Sequence, residues 1–204
     1  MKIYFHLNLE GYSNCYIITN PENKEAIIVD PGKVTKELIE HIENDQYKLV
    51  AVLITHNHGS HTKGLETLRK IYTPKIYSAD AQAAGDETIV LKGDGVFKIA
   101  GFTVGYLSVP GHSTDSMCYK IGNVLFTGDT LSAGKIGSTN NNYAKKTLMA
   151  NVQTKIFSQQ EGTILLPGHG PPTSLEAEKL FNLSLGLPEL EKKTGDQGAF
   201  HLKP

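Results

Sequence analysis

The sequence predicts an α/β protein, a four-layer sandwich of two sheets with helices on their outer faces. Three observations carry this. Short apolar segments alternate between strand-like and helix-like spacing along most of the chain. The pattern is laid down twice, in two similar halves at about 1–95 and 96–190 that meet near residue 95. No linker, Pro/Ser-rich segment, charge block or short-period repeat divides the chain, so residues 1–204 read as a single domain.

The elements follow in order. Lys2–Leu9, Asn14–Thr19 and Glu25–Val29 read as strands, with Asn20-Pro21-Glu22-Asn23 as the turn between the last two. Asp30-Pro31-Gly32 is a sharp break. Val34–Ile42 has helical spacing, because Val34, Leu38 and Ile42 recur every four residues. Leu49–Ile54 is apolar throughout and reads as a strand buried on both faces. Thr62–Tyr72 reads as a helix with Leu65, Leu68 and Ile71 on one face. In the second half, Phe97–Ile99, Phe102–Val109, Met117–Ile121 and Val124–Phe126 read as strands, with turns at Gly101 and Gly122-Asn123. Ala144–Phe157 reads as a helix, Thr163–Leu166 as a short buried strand, and Leu175–Leu187 as a final helix opened by a Thr173/Glu176 capping box. Lys192–Pro204 reads as poorly ordered.

Composition narrows the function classes. The chain has 204 residues, 39% of them hydrophobic and 20% charged, enough apolar content to bury a core. Lys plus Arg is 20 against 21 Asp plus Glu, so no basic excess points to nucleic acid. The longest clean apolar run, Leu49–Ile54, is far short of the about 20 residues a membrane helix needs. The N-terminus, Met1-Lys2-Ile3-Tyr4-Phe5-His6, lacks the apolar region of a signal peptide. Cys15 and Cys118 are the only cysteines, which excludes a disulfide framework. The expectation is a soluble cytoplasmic protein that acts on a small molecule, with no nucleic-acid or membrane partner. A homo-oligomer is compatible with the sequence.

The histidines carry the functional signal. Three fall in Thr55-His56-Asn57-His58-Gly59-Ser60-His61, directly after a buried strand. His56 and His58 are two apart, so an extended turn points their rings the same way. His61 starts the next helix and approaches from another angle. His112, Asp129 and His169 each follow another strand, in Pro110-Gly111-His112, Thr127-Gly128-Asp129 and Pro167-Gly168-His169. Ligand sites of α/β sheets collect at strand ends, and imidazole with carboxylate suits zinc or iron. His6, His41 and His201 read as surface or internally satisfied residues, and Cys15 and Cys118 as buried inert thiols. Asp30 reads equally as a hydrogen-bond partner of ligand imidazoles or as a turn fixer and helix cap.

These residues resemble the metallo-β-lactamase superfamily and, within it, its glyoxalase II-like (hydroxyacylglutathione hydrolase-like) branch. The resemblance runs from Asn14-Cys15-Tyr16 through Val29-Asp30-Pro31-Gly32, the His56 cluster, Pro110-Gly111-His112, Leu125-Phe126-Thr127-Gly128-Asp129-Thr130 and Pro167-Gly168-His169-Gly170. It implies the αββα fold. It implies a first metal site of His56, His58 and His112, a second served by His61 and His169, and Asp129 bridging them. It implies hydrolysis of a thioester or ester by a metal-bound hydroxide.

One departure matters most. The family motif is His-x-His-x-Asp-His, and Ser60 stands at the aspartate. Serine is neutral and a poor ligand, so a dinuclear centre would carry one more positive charge than with the aspartate. The expectation is one tight Zn2+ and a weak second site, or Fe2+, with Asp129 as the catalytic ligand and Ser60 at most a weak hydrogen-bond partner of the nucleophile. A further departure is the neutral stretch Gly137-Ser138-Thr139-Asn140, where the family often carries a basic residue for an anionic substrate; Lys135 or Lys145 could substitute, but both read first as solvated surface lysines. Two rival readings go with the resemblance. One is a mononuclear iron persulfide dioxygenase-like enzyme using His56, His112 and Asp129. The other is a catalytically degenerate member that still binds metal.

Overall fold

The computed structural model describes residues 1–185. Six strands form the first sheet: β1 (Lys2–Asn8), β2 (Ser13–Asn20), β3 (Glu25–Val29), β4 (Lys48–Leu53), β5 (Lys75–Ser78) and β6 (Thr88–Val90), paired in that order. β7 (Gly95–Ile99), β8 (Phe102–Ser108), β9 (Met117–Ile121) and β10 (Val124–Gly128) begin the second. A small hairpin of β11 (Leu131–Ser132) and β12 (Lys135–Ile136) follows, and β13 (Ile164–Pro167) and β14 (Thr173–Ser174) complete the second sheet in the order β14-β13-β10-β9-β8-β7. The sheets thus divide the chain between residues 90 and 95.

The layers follow from side-chain alternation. All eight residues of β2 are buried, because both faces of the strand are covered. Tyr16 and Ile18 enter the core between the sheets with Phe126 and Tyr119. Cys15 and Ile17 point the other way, under helices α1 (Lys36–Glu43) and α3 (Leu65–Ile71). Leu38 and Ile42, one helical turn apart, are fully buried there, each contributing roughly 1.5–3 kcal/mol by leaving water. The Thr35 side chain accepts the Leu38 N–H and starts α1. On the opposite flank, Leu148, Val152 and Leu175 from α4 (Asn142–Asn151), the turn after it and α5 (Leu175–Phe181) cover Cys118, Leu125 and Leu165.

Several elements differ from the sequence expectation. The expected helix Thr62–Tyr72 is two pieces, α2 (Gly59–Thr62) and α3, because the Gly64 N–H turns aside to the Pro31 carbonyl at 2.8 Å. β5 and β6 went unforeseen: they have four and three residues, too few to sustain an alternating pattern, and Ile89 and Val90 are exposed. The helix expected at Ala144–Phe157 starts earlier, where Asn141 accepts the Ala144 N–H, and its last turn, Val152–Ile156, is π-helical. α5 is capped by Ser174, which accepts the Ala177 N–H, rather than by Thr173; the latter pairs in β14 and bonds Glu178. α5 ends at Phe181, and Lys192–Pro204 lies outside the described residues. Among the described residues no helix is long and apolar enough to cross a membrane.

Candidate metal centre

Asp30 leaves β3 in the left-handed region, φ 53°, which a short acidic side chain tolerates better than most. That turn brings its buried carboxylate under the loop after β4. Oδ1 accepts the Thr55 N–H at 2.8 Å, and Oδ2 accepts the Thr55 hydroxyl at 2.6 Å. His61 Nδ1 lies 3.0 Å from the same Oδ2. Asp30 therefore orients an imidazole and fixes the loop, while Thr35, not Asp30, caps α1. Only glycine fits at position 32, because a Cβ there would fall 1.9 Å from the Ser60 carbonyl.

The remaining side chains arrive from three other strand ends. His112 follows β8, and its Nδ1 donates to the Ser138 carbonyl at 2.9 Å, which leaves Nε2 as the lone-pair nitrogen. Asp129 follows β10. His169 follows β13, on a loop tied to β2 by the Asn14 amide, which donates to the Pro167 and Gly170 carbonyls at 2.9 and 2.7 Å. Tyr16 adds a hydroxyl bond to Pro167 at 2.7 Å.

Two sets of donor atoms converge. His56, His58 and His112 place one ligand atom each within 4.8 Å of one another, and so do His56, His61 and Asp129. Nε2 of His112 is 3.2 Å from Nδ1 of His58. Asp129 Oδ2 is 3.8 Å from His56 Nε2, 3.7 Å from His112 Nε2 and 3.5 Å from His61 Nε2. Ligands about 2.0–2.2 Å from a tetrahedral ion are separated by roughly 3.3–3.6 Å, and the spacings here, 3.2 to 3.8 Å, lie within a few tenths of an ångström of that. The buried His56 Nε2 and His61 Nε2 have no hydrogen-bond partner among the described residues. Buried polar atoms are rarely left unpaired, and a cation at the centre would satisfy both.

His169 and Ser60 stand apart from these sets. His169 Nδ1 lies 2.7 Å from Asp129 Oδ1, and its Nε2 3.2 Å from the Gly11 carbonyl, so both nitrogens are engaged. The half-buried Ser60 contributes its carbonyl, which accepts the Ser13 hydroxyl at 2.6 Å. His6 and His41 bond each other at 2.9 Å, far from the centre in the β1–α1 corner. Cys15 and Cys118 are free and buried, and burial pushes both thiols up. His201 lies outside the described residues.

The electrostatics follow from burial and from the two carboxylates. Burial, reinforced by the neighbouring His61, lowers His56 to about 3, so it stays neutral as a ligand must. Burial also opposes charge on His61, but Asp30 and Asp129 outweigh it and lift His61 to about 10. Burial opposes ionisation of Asp129 too, yet the His169 hydrogen bond and the nearby His61 hold it far below the usual carboxylate range. Burial and His112 lower His58.

Three contributors gave little sequence signal. Thr55 bridges Asp30 and His56 Nδ1, the latter at 3.1 Å. Asp115 accepts the Asn57 N–H at 2.7 Å and steadies the loop between His56 and His58. Ser138 sets the His112 tautomer through its backbone, which no side-chain pattern reveals.

Comparison with known proteins places this arrangement in context. The model of the metallo-beta-lactamase superfamily matches residues 9–87 and 79–184. An uncharacterized protein of Treponema pallidum is 31% identical over 175 residues, covering 85% of this chain and 94% of that protein. A probable polyketide biosynthesis zinc-dependent hydrolase, BaeB of Bacillus velezensis, is 28% identical over 206 residues, covering 93% and 91%. The crystal structure of the BLEG-1 B3 metallo-beta-lactamase superposes with a TM-score of 0.80 at 27% identity, covering 91% of this chain and 100% of that one.

Proposed function

Since the chain belongs to the metallo-beta-lactamase superfamily, we propose that it is a metal-dependent hydrolase of thioester or ester bonds, glyoxalase II-like in kind. One observation carries the reading: four donor atoms from three strand ends converge at ligand spacing, with the buried His56 Nε2 unpartnered.

His56, His58, His112 and Asp129 would hold a first ion, zinc or iron. The second position is poor. It has His61 and a shared Asp129, but Ser60 offers no carboxylate and the Gly11 carbonyl engages His169 Nε2. One tight ion is the occupancy this donor set favours. A bound divalent ion supplies Lewis acidity, which acidifies water and steadies a developing oxyanion.

The chain's own groups do the rest. Ser138 and Thr55 fix the His112 and His56 rings, and supporting bonds of this kind raise ligand basicity and set ring orientation. Asp129 remains a carboxylate across the working pH range, held by His169. Asp30 keeps His61 Nε2 turned toward the centre. The free, buried cysteines fit a reducing, cytoplasmic compartment.

The test is hydrolysis of a panel of thioesters and esters by protein loaded with zinc or with iron, beside a His112→Ala variant. Turnover by the loaded protein, lost in the variant, is expected. No hydrolysis with either metal, together with oxygen consumption on glutathione persulfide by the iron form, would replace the hydrolase reading with the dioxygenase one.

A further inference from the structure

Beside the metal cluster lies a cavity of about 270 Å³ with Pro110, His112, Thr114, Asn140, Tyr143 and Thr147 among its walls. His112 belongs to both, since its Nε2 is 3.2 Å from His58 Nδ1 and 3.7 Å from Asp129 Oδ2. A group seated in this cavity therefore abuts the reacting centre. The walls are held together independently of any ligand. Asn151 donates to the Pro110 carbonyl at 2.8 Å, Asn141 accepts the Ala144 N–H at 2.9 Å, and His112 is tied to Ser138.

Among the described residues, none lining the cavity is a lysine, an arginine or a carboxylate. Among the described residues, the nearby lysines do not line it. Tyr143, Ala144 and Thr147 share the face of α4 that borders the cavity, whereas Lys145 and Lys146 leave other faces and are exposed. Lys135, in β12, is exposed and lines no part of it. The α4 N-terminus favours negative charge, but Asn141 already takes its Ala144 N–H. A carboxylate brought here meets no cationic side chain among the described residues, so the walls themselves give an anion no partner. The walls instead combine apolar surface from Pro110, Tyr143 and Ala144 with neutral groups from Thr114 and Asn140. The volume is just below the usual range of ligand pockets, about 300–1,000 Å³, and suits a short chain with an amide or hydroxyl.

We propose that this cavity selects substrates whose group beside the scissile bond is short and uncharged, and that Tyr143 and Thr147 determine that preference. The proposal rests on the hydrolase reading above and names the substrate class of that same site.

The test separates the two. Full-length zinc-loaded protein, labelled with nitrogen-15, is titrated with two non-hydrolysable thioethers bearing the same butyl group, S-butyl-N-acetylcysteamine and S-butylglutathione. The neutral thioether is expected to bind tighter by about tenfold or more and to shift the amides of Thr114, Asn140 and Tyr143. Thr147→Lys is expected to reverse the order. Equal or tighter binding of the glutathione thioether to the wild type, or neutral binding that leaves those amides unmoved, would overturn the proposal. Turnover of the corresponding butyryl thioesters is then compared. Selective neutral binding with neither thioester cleaved would contradict the hydrolase reading and leave the pocket's selectivity standing. Cleavage of both with glutathione preferred would contradict the selectivity and leave the hydrolase standing.

Discussion

Replacing Asp30 by Asn changes two atoms of a buried carboxylate that accepts three hydrogen bonds, from the Thr55 N–H, the Thr55 hydroxyl and His61 Nδ1. An amide cannot accept at both ends. Turned either way, it loses at least one bond and sets an N–H against a buried donor. Hydrogen bonds to a charged group contribute roughly 1.5–3 kcal/mol, and a stranded buried donor costs about 1–3 kcal/mol. The expected loss in metal-free protein is about 3 kcal/mol, or roughly 6–12 °C in melting temperature for a chain of this size. The loss should depend on pH. Burial opposes the His61 charge but the two carboxylates overcome it, so its folded pKa of about 10 stands above the ordinary 6.5. A raised histidine contributes stability fully present below pH 6.5 and lost as pH rises through about 10. Thermal unfolding of wild type and variant in chelator, at pH 6 and at pH 10, should therefore give a wide gap at the lower pH and a narrower one at the higher. A loss under about 1 kcal/mol at pH 6, or a gap that does not change with pH, would refute the role given to Asp30.

Two other perturbations probe the centre from different sides. Ser60→Asp restores a carboxylate to the motif and should raise zinc bound in excess metal from about one to about two ions per chain; an unchanged count in a metal titration would show that Ser60 is not what weakens the second site. Asn14→Ala removes two bonds, one buried and one part-buried, to the loop that carries His169 and should cost about 2 kcal/mol in denaturant unfolding, while the first metal site, built from other loops, keeps its affinity; a loss of tight metal would contradict that separation.

How much could be read from residues alone depended on how local the cause was. β3 and β9 were legible to the residue, because each is a mostly apolar run, broken only by Glu25 and Lys120, and bounded by turns. β5 and β6 were not, being only four and three residues long, with Lys75, Ile89 and Val90 exposed. The break at Gly64 comes from a carbonyl thirty-odd positions upstream, so a helical period ran straight through it. The same division holds at the centre. His56, His58, His112 and Asp129 follow strand ends, and their convergence was foreseeable from that placement. The engagement of His169 by Gly11 and Asp129 was not, because it depends on Asn14 and Tyr16 bonding the β13 loop across more than 150 positions. Thr55 acts through a hydroxyl that no motif singles out, and Ser138 through a backbone carbonyl that every chain position carries.

The most direct measurement is metal identity and stoichiometry per chain, by elemental mass spectrometry on wild type and His112→Ala purified without chelator or affinity metal. About one zinc or iron ion on the wild type, and none held tightly by the variant, is the expected result. Stoichiometric metal retained by His112→Ala, or a wild type that stays metal-free after reconstitution, would contradict the assignment of these histidines and Asp129 as a metal centre.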